Sequence, residues 1–228
     1  METGKTGKTG KYFKYAIGEI ILVVIGILIA LQINNWNESR KNKVFESEII
    51  ALIDNNLVQD STSLSIELNK AKLAIETTDR LLKQVNQGVY NDSLNYMMGK
   101  IINFQRFKSQ SSAFEVLKSK GIENITDNKL QLALISYYDE FLFRVYESTL
   151  DVEDSFVADW IPIIKQEFLD FKWEDFCVPI DAKSFFEKPS TIILFKLFKD
   201  NRAGQVDYME KTISKITEIR NLIKSSKK

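Results

Sequence analysis

Four carboxylates fall within nine residues at Asp151, Glu153, Asp154 and Asp159, and carboxylate oxygens are the donors that hard cations take. Their spacing lacks the alternation and the central glycine of a calcium loop, so the cluster reads as the solvated face of a helix. Paired carboxylates also do acid-base work, but among 31 acidic residues some pair is inevitable and spacing alone nominates none. The chain has no histidine, which removes the commonest general base and the commonest zinc ligand. Its single cysteine, Cys177, has no partner for an intramolecular disulfide and reads as a small buried hydrophobe. We therefore assign no catalytic, cofactor-binding or metal-ligating residue, expect no cofactor, and expect that the chain is not an enzyme.

Two further features invite a chemical reading. The opening METGKTGKTGK has the ending of a phosphate loop, but Glu2 stands where the first glycine belongs and no strand precedes Gly7-Lys8-Thr9. It reads as a basic, flexible, membrane-adjacent tail. Glu19 is the one ionisable residue in the apolar run AIGEIILVVIGILIALQI from Ala16 to Ile33. Lying about one turn inside Tyr15, its carboxylate can reach the headgroup layer and the nearby lysines; the alternatives are a polar contact with a partner helix and an ion pathway.

That run is long enough to cross about 30 Å of hydrocarbon as a helix. Tyr12 and Tyr15 at one end and Trp36 at the other are the amphipathic rings expected at the two interfaces. A cleaved signal peptide is disfavoured, because the run is too long for a signal core and Leu28, Ala30 and Leu31 make a poor cleavage site. Lys5, Lys8, Lys11 and Lys14 precede the span and Arg40, Lys41 and Lys43 follow it, which places the N-terminus in the cytoplasm and the large domain outside it. Gly18, Leu22, Gly26, Ala30 and Asn34 recur every fourth residue and so line one stripe, where small residues admit a close helix neighbour. With Glu19 they are the candidate helix contacts inside the membrane.

The remainder must fold on its own. With 31 basic and 31 acidic residues the chain carries no global excess that points to nucleic acid, and 9 Gly with 3 Pro leave little material for turns. Apolar residues from Phe45 through Ile49, Leu52 or Ile53, Leu57, Leu64, Leu68, Ile75 and Leu82 to Val85 keep helical spacing, with Gly88 as a stop and Asp60-Ser61-Thr62-Ser63 as a place to bend or restart. A second helix begins at Asn91 or Asp92. A short one follows a capping box at Ser112 and Glu115 and ends at Gly121, and a long one capped by Thr126 or Asp127 runs to a kink at Pro162. Phe171 to Pro189 reads as an aromatic connection plugging a core, Ser190 to Phe198 as a short helix and Gln205 to Lys224 as the last amphipathic one. No strand pattern of useful length competes.

Two segments, YAIGEIILVVIGILIALQINNWNE (Tyr15–Glu38) and SAFEVLKSKGIENITDNKLQLALISYY (Ser112–Tyr138), resemble an uncharacterised family of single-pass membrane proteins widespread in Gram-negative bacteria. Lys120 departs from it, standing where that family has a second small residue. The resemblance implies an inner-membrane location and an outward helical domain, and carries no activity or site residues. The expected architecture is all-α: a cytoplasmic tail (1–14), a transmembrane anchor (15–36) continuous with a long amphipathic helix, and an antiparallel helical bundle within a periplasmic domain (37–228). The expected partners are the lipid bilayer and a second copy or another membrane protein. The expected role is an interaction or scaffold subunit of a membrane or periplasmic assembly; the alternative is a periplasmic ligand-binding sensor acting through a partner membrane protein.

Overall fold

The structure, a computed structural model, describes the backbone of residues 9–226 and the side chains of residues 15–225. The chain divides into two compact units, the first ending at Glu48 and the second beginning at Ile49. Helix α1, Thr9–Asn86, contributes to both. In the first unit, α1 holds an 18-residue stretch that is long and apolar enough to cross a membrane, none of it buried inside the protein.

The second unit is a helical bundle, so the all-α expectation holds. The C-terminal part of α1 is followed by α2 (Ser93–Ile101), α3 (Ser112–Lys120), α4 (Asn128–Ile135), α5 (Leu142–Ser155), α6 (Ile161–Glu167), α7 (Ala182–Phe186) and α8 (Pro189–Ser226). Three ion pairs show the direction of α8 against α1. Asp54 meets Arg220 at 2.7 Å, Lys72 meets Glu210 and Asp79 meets Lys199. As one number rises the other falls, so the two helices run antiparallel. The core lies between them and α4–α5: Ile53, Leu57, Leu64, Leu130 and Leu134 are fully buried, and each contributes about 1.5–3 kcal/mol by leaving water. Nearer the α2 end, Trp160 packs edge-on against Phe195 at 4.9 Å and Phe198 at 5.9 Å.

Several boundaries fall where the sequence puts them. Gly88 takes a φ of 70° just beyond α1 and Gly121 a φ of 103° just beyond α3, conformations that cost a residue with a Cβ. The Asp127 carboxylate accepts from the Lys129 amide at 2.8 Å and the Leu130 amide at 3.3 Å, capping α4. Elsewhere the structure differs. α1 passes Asp60–Ser63 without a break, with Asp60 turned inward. The capping box at Ser112 does not form: Ser112 is already helical, and the Glu115 amide bonds the Ser111 carbonyl instead. At Pro162 the α-helical pattern is interrupted, and the helix continues beyond as α6. A π-helical turn at Phe156–Trp160 precedes it, and the wider turn accommodates a residue that lacks an N–H.

The aromatic connection contains an antiparallel hairpin, β1 (Phe168–Lys172) and β2 (Phe176–Pro179), with Phe171 opposite Cys177. Its strands are too short for a period-two signal. Its turn uses no glycine either, since Glu174 itself takes a φ of 58°. The two C-terminal helices read from the sequence are one, α8, which runs straight through Gly204. Nothing lies within 4 Å of a Cβ placed on Gly204. Gly204→Ala is therefore expected to stabilise the bundle by about 0.5–1 kcal/mol, raising Tm by about 2–4 °C in a thermal melt.

Candidate functional site

The residues nominated from the sequence lie along α1. Gly18, Leu22, Gly26, Ala30 and Asn34 are exposed along one stripe and Glu19 is exposed as well, with nothing within 4 Å of a Cβ built on Gly18 or Gly26. Tyr15 and Trp36 are exposed as well, and the Arg40 guanidinium lies over the Trp36 ring at 5.8 Å. The side chain of Tyr12 and the basic tail lie outside the described side chains.

The polar chemistry that the fold assembles is elsewhere. Asp60, on the row that Ile53, Leu57 and Leu64 define, is 1% exposed. One carboxylate oxygen accepts from the Tyr137 hydroxyl at 2.7 Å and from the Ser109 hydroxyl; the other accepts from the Gln110 amide at 2.8 Å. The Ser109 amide donates in turn to the Tyr146 hydroxyl at 3.1 Å. Tyr137 and Tyr138 stand in a π-helical turn, Ser136–Phe141. Tyr138 stacks on Phe114 with ring centroids 4.0 Å apart. Burial first, and the Asp60 charge second, push both phenols well above the ordinary tyrosine range, so both stay protonated; Tyr137 donates to Asp60, while the Tyr138 hydroxyl is buried without a hydrogen-bond partner. The site locks three segments together: α1, the connection between α2 and α3, and the π turn before α5.

A second polar centre surrounds Arg202 of α8, 2% exposed. Its Nη2 donates to the Asn103 side-chain oxygen at 2.9 Å and to the Asn103 carbonyl. Asn103 donates back to the Gly99 and Lys100 carbonyls at 3.2 and 3.0 Å. The guanidinium lies over Phe198 at 5.4 Å. Burial draws Arg202 down to about 10, against the opposing charges of Glu67 and Glu174, and it remains a cation at neutral pH. Burial likewise raises Glu67, with Lys70 acting the other way. Arg202 Nε and Gln205 Oε1 are buried without a hydrogen-bond partner.

Of the acidic cluster, Glu153 pairs with Arg106, whose Nε donates to it at 3.0 Å; that hydrogen bond holds its carboxyl below the usual range. Asp151, Asp154 and Asp159 are exposed. Among the described residues no group of three or more His, Cys, Asp or Glu side chains is placed to hold a metal ion. Cys177 is fully buried, as its reading from sequence has it, and burial pushes its thiol up to about 12. Native protein is therefore expected to leave Cys177 unmodified by a maleimide at neutral pH, with labelling appearing only through the unfolding transition; rapid native labelling would contradict its burial.

On the outside, Phe143, Leu150 and Val157 follow at intervals of seven residues along α5 and the turn after it, each about half exposed, with Glu147 and Asp154 beside them. Sequence reasoning missed Asp60 as a site residue, although its place in the apolar row, three after Leu57 and four before Leu64, is a signal that it points inward.

Fold and site together define a helical bundle with buried polar centres, preceded by an apolar helix. Residues 19–155 match the family of unknown function DUF6090, and the chain belongs to that family. The match extends beyond the two segments of resemblance and takes in Asp60, Ser109 and Tyr137. No curated protein and no solved structure matches the chain.

Proposed function

We propose that this chain is a membrane-anchored interaction protein, an accessory or scaffold subunit of an assembly at the bacterial inner membrane, with no catalytic chemistry of its own. The reading is carried by apolar surface that no core of the chain covers. The stretch of α1 from Tyr15 is apolar but for Glu19 and wholly unburied, which suits a lipid surround. The flanking lysines favour a cytoplasmic N-terminus and a periplasmic bundle. Phe143, Leu150 and Val157 form a half-exposed stripe beside Glu147 and Asp154, the surface that a basic amphipathic partner helix fits. The absence of a catalytic role is supported by the polar groups themselves: Asp60 is saturated by three internal donors and is closed to a substrate.

Affinity purification of the full chain from membranes in mild detergent tests this. A stoichiometric partner or a homo-oligomer is the expected result, and a monomer alone counts against it. One observation favours a ligand sensor instead, namely the unpartnered Arg202 Nε and Gln205 Oε1 inside the bundle. A monomer whose Tm rises with concentration of a small carboxylate or phosphate, the anions that arginine reads, would turn the assignment that way.

A further inference from the structure

The outward side of α1 within the bundle unit carries a row that the core does not use. Leu52, Asn55, Gln59, Thr62, Ile66 and Asn69, closing on Leu73, are all exposed. They follow one another at alternating steps of three and four residues, the spacing of a supercoiling helix seam. The row runs about 32 Å at 1.5 Å per residue, and none of its members is charged.

The missing charge is selective. In a chain that is 27% charged, every exposed residue from Ala51 to Asn69 is neutral. The charged residues of that stretch are turned elsewhere: Asp54 pairs with Arg220, Asp60 is inside, and Glu67 is mostly covered. Glu48 and Glu76, the next steps of the pattern in either direction, are exposed and close the row with charge.

We propose that this row is the seam of a parallel, two-stranded coiled coil between two copies of the chain. From Leu52 to Ile66 a neutral face meets its own copy without like-charge repulsion, Lys70 and Lys72 being exposed only beside its last members, and core positions of interfaces are where charge is depleted. Asn55, Gln59 and Asn69 each both donate and accept, so each can pair with its own counterpart across a two-fold axis, which a lysine or a glutamate cannot do. The acid-flanked stripe on α5 is unsuited to the same role, because two copies would set acids against acids. The parallel direction rests on the membrane-anchor reading: two chains in one bilayer carry their bundles on the same side. Polar residues in a seam lower its strength while fixing register, so pairing draws on the local concentration that a shared membrane provides.

Gln59→Cys in the full chain, oxidised in native membranes with copper phenanthroline, tests the seam. Cys177 is buried and leaves the engineered thiol as the reporter. The expected result is a disulfide-linked dimer on the order of tenfold above that of Arg144→Cys, an exposed control on α5. Equal crosslinking at the two sites overturns the seam. Adding Ile66→Lys to Gln59→Cys is expected to abolish the dimer while leaving Tm within about 1 °C, since the side chain is exposed; a persistent dimer also overturns it. Recovery of a different stoichiometric partner without Gln59→Cys crosslinking rejects the seam and leaves the interaction reading standing, whereas a monomer with neither rejects both.

Discussion

Asp60→Ala is expected to cost the bundle about 4–5 kcal/mol, read as a lower urea midpoint with little change of slope. The size follows from what is left behind. The carboxylate, itself buried, satisfies three donors: the hydroxyls of Tyr137 and Ser109 and the backbone amide of Gln110. Each orphaned donor costs about 1–3 kcal/mol, and the cavity adds to that. Asp60→Asn is the sharper variant because it keeps the shape. Its amide oxygen can serve the Gln110 N–H, which has no alternative role. Its NH2 then faces the two hydroxyls, which can turn to accept but lose the acceptor for their own protons. A loss of about 2–3 kcal/mol is expected. Tyr137→Phe should cost less in the Asp60→Ala background than in wild type, by a coupling of about 1–2 kcal/mol. Stability of Asp60→Asn within about 0.5 kcal/mol of wild type would show that the network is decoration.

This site also marks how far the sequence is legible. Spacing through Leu57 and Leu64 gives the buried face of α1 but leaves Leu52 and Ile53 as alternatives, which burial decides for Ile53, and the same spacing contains Asp60. What spacing does not give is the partner. Ser109 and Tyr137 lie 49 and 77 residues away, and only the tertiary fold brings them in. Helix ends with a local chemical cause are readable, as at Asp127, Gly88 and Gly121. Features set by neighbours in space are not. The break expected near Gly204 does not occur because packing along α8 outweighs one residue's propensity, and Pro162 is absorbed by a π turn. The hairpin at Phe168–Pro179 leaves almost no local trace, since its turn conformation at Glu174 is held by contacts from other segments. Gln105 and Lys70 donate to its carboxylate and Lys100 to its carbonyl. The outward faces follow the same division: the anchor stripe and the α1 seam are patterns within one helix, but their exposure is known only once the bundle is assembled.

The hairpin supplies the second large expected effect, at Gly99. This glycine sits on α2 where the hairpin apex arrives, and a Cβ built on it would overlap the backbone carbonyl of Asp175 and the amide nitrogen of Phe176. Both are main-chain atoms, so no rotamer change relieves the overlap; α2 and the hairpin must move apart. Separation would also strain Lys100 and Gln105, which reach Glu174 from either side, and would loosen Cys177, Met98 and Ile101 in the core behind. Gly99→Ala is accordingly expected to destabilise by about 3 kcal/mol, at the upper end for overpacking, even though alanine is the better helix former by about 1 kcal/mol. The contrast with Gly204→Ala isolates the cause. The same methyl enters a helix in both, with opposite expected signs, because only Gly99 has backbone against it. Amide exchange at Cys177 and Val178 should quicken in Gly99→Ala beyond what global destabilisation gives, and maleimide should then reach Cys177 under native conditions. A Gly99→Ala protein as stable as wild type, with Cys177 still protected, would mean that the hairpin does not lie as close to α2 as the structure places it.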